Sequence, residues 1–358
     1  MKIMTLVGTR PELIRLSNII KLFDNEFEHT LVHTGQNYDK NLSDIFFRDL
    51  NIRSPDYYLD ARGSFGEQIA IMFPKMEELL KKVAPQKILI LGDTNSCLNA
   101  VVAKRMGIPV YHMEAGNRCF NQVVPEEVNR KIIDHCSHVL LPYTERSRQH
   151  LLDEGFARNK IYVTGNPIGE ILTTHMSRID SSSILTDLKL SDKNYILATM
   201  HRAENVDVES RLKNIVEACS RLFDTYKIPI IVSTHPRTEK RLSEFNITVN
   251  PSQIQFLPPF GFFDFVALQK SSFCVISDSG TAQEECAILG VPSVTLRDVT
   301  ERPETLECGS NILSGVTSEA ILRGVRLATR AVRWSPPPEY MVPNVSDIVA
   351  RIIGSVDF

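Results

Sequence analysis

Short apolar runs that stop at a polar turn and restart as a helix recur along this chain, and that grammar leaves few folds open. Lys2 to Val7 reads as a strand and runs into Gly8-Thr9-Arg10-Pro11-Glu12. From Pro11 to Phe23 the apolar residues Leu13, Leu16, Ile19, Ile20 and Phe23 fall at helical spacing. Thr30 to His33 reads as a second strand. Lys87 to Leu91 (KILIL) is a third, followed by GDTNS and a helical run from Cys97 to Met106. Ile108 to His112 and Val139 to Leu141 complete the first half. Strands alternating with helices at this spacing predict a parallel sheet covered on both faces.

The second half repeats the theme. Tyr195 to Thr199, Pro229 to Ser233, Ile254 to Leu257, Phe273 to Ser277 and Ser293 to Leu296 read as strands, and Leu212 to Phe223 and Ala282 to Leu289 as helices. Beyond Gly165-Asn166-Pro167, the polar stretch Ser177 to Ser183 marks a change of domain, as a chain of 358 residues would suggest. The segment WSPPPEYMVPN is expected to be non-helical, since Pro336, Pro337 and Pro338 lack a backbone donor. A last helix is expected from Val345 to Ile353. The fold class is therefore α/β, with two doubly wound Rossmann-like domains facing a cleft. In such sheets ligands bind beyond the carboxyl ends of the strands.

Composition narrows the function. Lys and Arg number 40 against 43 Asp and Glu, a net charge of -3 without a basic block, so neither nucleic acid nor an anionic membrane is indicated as a partner. No apolar run reaches the roughly 18 residues of a membrane helix, and the N-terminus lacks the features of a signal peptide. The seven cysteines form no CxxC pair, which fits reduced cytosolic thiols and supplies no zinc framework. His135 and His138 flank Cys136 but lack partners for a tetrahedral metal set. No GxGxxG is present, which speaks against a nicotinamide or flavin cofactor.

Four places hold residues that could carry chemistry. Arg10, at a helix start after Gly8, reads either as an anion contact or as a solvated arginine in a plain turn. Ser277-Asp278-Ser279-Gly280-Thr281 joins a strand to a helix; its hydroxyls and free N–H groups can cradle a phosphate, or simply cap the helix. Glu284 and Glu285 follow within a turn, where a carboxylate could accept ribose hydroxyls. Asp93 and Glu114 stand at strand ends, and Glu126 and Glu127 open a helix after Pro125. Convergent carboxylates suit acid/base work, although first-turn acids also serve the helix dipole. His201-Arg202 and His235-Pro236-Arg237 follow strands, where they can meet a diphosphate or form surface turns. Arg297, Glu301 and Arg302 read as a loop of paired charges.

In this order, the segments GTRPE (Gly8 to Glu12), TGQNYD (Thr34 to Asp39), GDTNS (Gly92 to Ser96), HMEAGNR (His112 to Arg118), PEEVNR (Pro125 to Arg130), TGNP (Thr164 to Pro167), HRAEN (His201 to Asn205), HPR (His235 to Arg237), DSGTAQEE (Asp278 to Glu285) and TERPE (Thr300 to Glu304) resemble the non-hydrolysing UDP-N-acetylglucosamine 2-epimerase family. The resemblance implies a GT-B-type fold: residues 1–170, joined by a C-terminal helix 345–358, would carry the acids, and residues 171–344 would bind UDP. It implies epimerisation at sugar C2 by elimination of UDP to a 2-acetamidoglycal and re-addition on the other face. Asp93, Glu114, Glu126 and His201 match the catalytic positions. Arg10, Arg15, Arg118, Arg202, His235, Phe265, Ser279, Gly280, Thr281, Glu285 and Arg302 match positions that bind substrate or UDP. No cofactor or metal is implied, and a cytoplasmic homodimer is.

There are departures. Thr281 replaces the family's usual second glycine, Arg15 stands where lysine is frequent, and the region after TGQ lacks the His and Met that help bind an allosteric UDP-GlcNAc in bacterial members. GNRCFNQ (Gly116 to Gln122) and MHRAENVD (Met200 to Asp207) look closer to the subgroup that converts UDP-2-acetamido-2,6-dideoxy-L-talose to UDP-N-acetyl-L-fucosamine for surface polysaccharide synthesis. The alternatives are a UDP-GlcNAc/UDP-ManNAc 2-epimerase, a hydrolysing 2-epimerase, a GT-B glycosyltransferase and a non-catalytic nucleotide-sugar sensor. The acid set speaks against the last two.

Overall fold

The structure, a computed structural model, describes residues 1–36, 46–122, 124–331 and 333–355. The chain divides into two compact units, Met1–Ile171 with Glu339–Phe358, and Leu172–Pro338. The polar stretch expected at the domain change is partly helical. Ser177 to Asp180 close the helix Pro167–Asp180, because His175 and Ile179 bury on its inner face.

The first unit holds a six-stranded sheet in the order β3-β2-β1-β4-β5-β6. The strands are β1 (Lys2–Val7), β2 (Glu28–His33), β3 (Tyr57–Tyr58), β4 (Lys87–Leu91), β5 (Val110–Met113) and β6 (Val139–Leu141). Every pairing is parallel. β3 escapes the sequence pattern because a two-residue edge strand has no periodicity to read. The strand order reverses between β1 and β4, so the turns Gly8–Arg10 and Gly92–Thr94 lie at the switch point, where ligands of such sheets bind. The helix Val345–Ser355 belongs to this unit: Lys87 Nζ donates to the Ile353 carbonyl at 2.7 Å, and Ser346 N donates to Glu170 at 2.9 Å.

The second unit repeats the design with β7 (Ile196–Thr199), β8 (Ile230–Ser233), β9 (Ile254–Leu257), β10 (Cys274–Ser277), β11 (Ser293–Thr295) and β12 (Asn311–Leu313). Its order, β12-β11-β10-β7-β8-β9, places the reversal between β7 and β10. Both faces of the sheet are covered: Ile196 and Ala198 face one core with Leu212, Ile215 and Ile321, while Tyr195 and Leu197 face another with Leu268 and Cys286. β12 follows Gly309 and Ser310 and is too short to signal itself in the sequence.

One expectation fails. Pro338–Met341 form a single 3-10 turn within WSPPPEYMVPN. A proline at the first position of a turn gives up no internal hydrogen bond, so the ban on helical structure ends with the last proline. No helix among the described residues is long and apolar enough to cross a membrane. No two cysteines are disulfide-bonded, and no metal-holding group of three His, Cys, Asp or Glu occurs among the described residues.

Candidate functional site

At the switch point of the first unit the backbone must pass close to its neighbours. A Cβ on Gly8 would lie 2.0 Å from Ser96 Oγ and 2.3 Å from Thr34 Oγ1, so only glycine fits. The helix Arg10–Glu26 starts at once, and Glu12 turns back to cap it. Its carboxylate accepts from Gly8 N, from Thr9 N at 2.9 Å and from Thr94 Oγ1 at 2.6 Å. Glu12 is 2% exposed. Burial pushes its carboxyl up to about 7, and the three hydrogen bonds only partly oppose that. This acid joins the turn after β1 to the turn after β4. Arg10, half-buried, lies over the Phe46 ring at 5.7 Å.

Three of the expected acids sit around the same end of the sheet. Glu114 follows β5 in a left-handed conformation, φ 69°. It is buried and paired with buried Arg15, and accepts from Asn117 Nδ2 at 3.1 Å. Arg15 also lies over the Tyr143 ring at 5.9 Å. A Cβ on Gly92 would stand 3.9 Å from Glu114 Oε2, which places this carboxylate beside the residue preceding Asp93. Asp93 is half-buried and takes the Nε and Nη2 of Arg130 at 2.9 and 2.7 Å. Glu126 is half-buried in the first turn of the helix Pro125–Cys136.

Arg118 has a different setting. Its guanidinium is closed off by Asp134 at 2.7 Å and Glu154 at 2.6 Å, and Asp134 also meets His112 Nδ1 at 2.8 Å. Burial opposes both charges, but His112 and then Arg118 hold Asp134 below the usual carboxylate range, and Glu154 together with Asp134 holds Arg118 above its own. Arg118 thus braces the segment after Glu114 from within.

In the second unit, Asp278 is fully buried after β10 and gathers the turn after β7. It accepts from His201 N at 3.0 Å, Arg202 N at 3.0 Å and Asn205 Nδ2 at 3.1 Å, and His201 Nδ1 stands 3.1 Å from its Oδ1. Burial would raise this carboxyl, but the facing His201 and the backbone donors outweigh it and hold it down to about 2. The His201 and His235 rings lie 5.8 Å apart.

Ser279 then caps the helix Gly280–Leu289, whose first N–H groups have no partner within the helix. A Cβ on Gly280 would meet nothing within 4 Å, so open space lies over that turn. Thr281 is half-buried beside it. Glu285 is 4% exposed and accepts from Gln269 Nε2 at 2.8 Å, whereas Glu284 pairs with Arg302 and is 0% exposed. Arg297 and Glu301, read from sequence as a loop of paired charges, form a buried bidentate pair at 2.8 and 2.9 Å. Phe265 packs against the core beside Tyr195 and Leu268, and Arg202 is half-buried.

Two residues, Glu12 and Arg130, escaped the sequence reading as participants, and a third, Glu127, was read there only as one of the candidate acids. Glu12 looked like the end of a turn motif. Arg130 stands 37 residues from Asp93. Glu127 fills an inward position and accepts from Cys119 N at 3.0 Å and Phe120 N at 3.1 Å while pairing with Arg130 at 2.7 Å. Burial opposes its charge, yet these donors hold Glu127 below the usual carboxylate range. The sequence signal was the double acid in PEEVNR: successive helix residues cannot face the same way, so one of them had to turn inward. Of the TGQNYD segment, Asn37, Tyr38 and Asp39 lie outside the described residues.

Arginine-held carboxylates at one switch point, and at the other a helix start beside a buried Asp that orients a part-exposed His, suit a nucleotide-sugar enzyme of the GT-B type. The chain belongs to the UDP-N-acetylglucosamine 2-epimerase family, whose model matches residues 21–354, and it is accordingly an isomerase. It is 41% identical over 347 residues to a UDP-N-acetylglucosamine 2-epimerase of Methanocaldococcus jannaschii, covering 94% of this chain and 95% of that protein. It is 36% identical over 332 residues to a UDP-2,3-diacetamido-2,3-dideoxy-D-glucuronate 2-epimerase of Pseudomonas aeruginosa, covering 91% and 92%. The crystal structure of the M. jannaschii UDP-GlcNAc 2-epimerase in complex with UDP-GlcNAc and UDP superposes with a TM-score of 0.94 at 39% identity, over 99% of this chain and all of that one.

Proposed function

We propose that the protein inverts C2 of a UDP-2-acetamido sugar without releasing free sugar, and that its substrate is UDP-2-acetamido-2,6-dideoxy-L-talose, giving UDP-N-acetyl-L-fucosamine. The observation that carries the reaction type is the acid set: Glu114 beside Gly92-Asp93, each acid held by an arginine. A C2–H next to an acetamido group is too weakly acidic for simple deprotonation and return. Elimination solves this. A carboxylate of the Asp93, Glu114 and Glu126 set takes the C2 proton, the C1–O bond breaks towards the diphosphate, and a C1–C2 double bond forms. UDP then adds back to C1 as a proton is delivered to the opposite face of C2.

The second unit supplies retention of UDP. Ser279, Gly280 and Thr281 offer hydroxyls and the backbone N–H groups of a helix start to the diphosphate. Asp278 holds His201 through Nδ1, leaving Nε2 to meet the charge that develops on the leaving oxygen. Arg10 and Arg202 add positive charge, and Glu285 suits the ribose hydroxyls. The relatives named above act on two different sugars, so the UDP-2-acetamido class is the common element. The 6-deoxy branch rests on the likeness of GNRCFNQ and MHRAENVD to that subgroup.

The test is proton NMR in D2O with UDP-2-acetamido-2,6-dideoxy-L-talose and UDP-GlcNAc in parallel. Loss of the C2 proton signal from a sugar still attached to UDP is expected in the first tube. Exchange only with UDP-GlcNAc would replace the substrate, and free sugar with free UDP in both tubes would replace the reaction with a hydrolysing one.

A further inference from the structure

The loop between Glu114 and the Pro125–Cys136 helix carries a residue that neither the fold nor the proposed chemistry uses. Phe120 is 71% exposed, the most exposed of the large apolar side chains among the described residues. Its φ is 56°, a left-handed conformation that bulky residues rarely adopt. Burial does not hold it there, since its one described ring contact is the edge of His150 at 5.2 Å. The backbone does. Phe120 N and the preceding Cys119 N both donate to Glu127, at 3.1 and 3.0 Å. Glu127 is fully buried and shares Arg130 with Asp93. Strain, two hydrogen bonds and a buried carboxylate therefore fix the backbone that carries an exposed phenyl ring relative to a candidate acid. Strain of this kind gathers where a ligand is recognised.

Resting on the reading of function above, we propose that Phe120 contacts the sugar and selects the substituent at C6. A phenyl surface rewards a 6-methyl group and leaves a 6-hydroxyl without a hydrogen-bond partner. Discrimination of this type is bounded, because apolar surfaces reject an added hydroxyl only by factors of ~100 or less. Glu127 is a positioning residue for the ring: it sets the loop through Cys119 and Phe120 and does not touch substrate.

The test compares wild type with Phe120→Gly and Phe120→Leu, using UDP-2-acetamido-2,6-dideoxy-L-talose and UDP-GlcNAc as probes and C2 exchange as the readout. Glycine accepts the left-handed conformation without strain, so F120G should melt at or above the wild-type temperature. Its kcat/KM for the 6-deoxy sugar should fall about tenfold through KM, with little change for UDP-GlcNAc and with UDP affinity unchanged. F120L should keep more of the preference than F120G. Equal ratios of kcat/KM for the two sugars in wild type and F120G would overturn the inference while leaving the epimerase reading intact. Wild-type protein inert towards both sugars would overturn that reading and this inference with it.

Discussion

His201 Nδ1 stands 3.1 Å from Asp278 Oδ1, and the backbone N–H groups of His201 and Arg202 donate to the same carboxylate at 3.0 Å. One buried acid therefore orients the imidazole and shapes the turn that carries it. Asn would keep the shape but not the charge. Asp278→Asn should fold, and its kcat for C2 exchange should fall ~100-fold or more with little change in KM. Steady-state exchange rates measure this, and an unchanged kcat would remove Asp278 from the mechanism.

The same carboxylate predicts acid behaviour. Its folded value of about 2 lies below the ordinary 3.8, so its ionised form stabilises the native state above pH ~4. That contribution, about 2 kcal/mol, is lost as pH falls towards 2. Denaturant unfolding of wild type and D278N should therefore differ most near neutral pH and converge below pH ~2. A constant difference across that range would mean that the charge is not what stabilises.

Glu12 has the opposite sign. Its carboxyl is pushed up to about 7 from 4.5, so between those values the native state keeps a proton that the unfolded chain has lost. Stability then falls as pH rises through that window and levels off above 7, by an order of 3 kcal/mol in all. Glu12→Gln carries no such proton. Unfolding midpoints of wild type and E12Q, followed from pH 4.5 to 8, should diverge in favour of the variant. Parallel curves would show that the hydrogen bonds from Gly8, Thr9 and Thr94 keep the acid ionised throughout.

What the sequence disclosed and what it hid divide by range. Strands announced themselves because short, mostly apolar runs bounded by polar turns have no other use, as in Lys2–Val7 and Lys87–Leu91. Among the turns after them, those of Asp93 and Glu114 announced themselves because a strand end has no local use for a carboxylate, while His201 and Asp278 also suited a surface turn and a helix cap. The partners stayed hidden. Thr94 lies 82 residues from Glu12, and Arg130 lies 37 from Asp93. No periodicity links such positions, since sheet order creates the contact. The surface-loop reading of TERPE met the same limit: Arg302 reads as a loop charge until Glu284 is placed against it inside the second unit.

Glu114 and Arg15 form a pair whose side chains are 8% and 4% exposed. Removing one partner of such a pair leaves a charge in poor solvent. Glu114→Gln should cost about 3–5 kcal/mol of stability and abolish C2 exchange. The double variant Arg15→Met with Glu114→Gln should recover most of the stability and none of the activity. Urea unfolding and the D2O assay separate the two losses. A stable but still inactive E114Q would confine the role of this acid to chemistry, and an active one would exclude it from the proton transfers.

Gly280 offers a cleaner dissection of the anion cradle. It opens the helix Gly280–Leu289, its φ is not in the left-handed region, and a methyl group there would touch nothing within 4 Å. Alanine is also the better helix former. Gly280→Ala should therefore leave the melting temperature unchanged or slightly raised. If the open space over the turn is where the diphosphate approaches the backbone N–H groups, the added methyl stands in its path. UDP affinity, measured by calorimetry, should then fall at least tenfold, about 1.4 kcal/mol. Because the free protein has no use for that space, a loss of affinity without a loss of stability can come only from the ligand's side. Unchanged affinity would move the diphosphate off this turn and with it the assignment of Ser279 and Thr281.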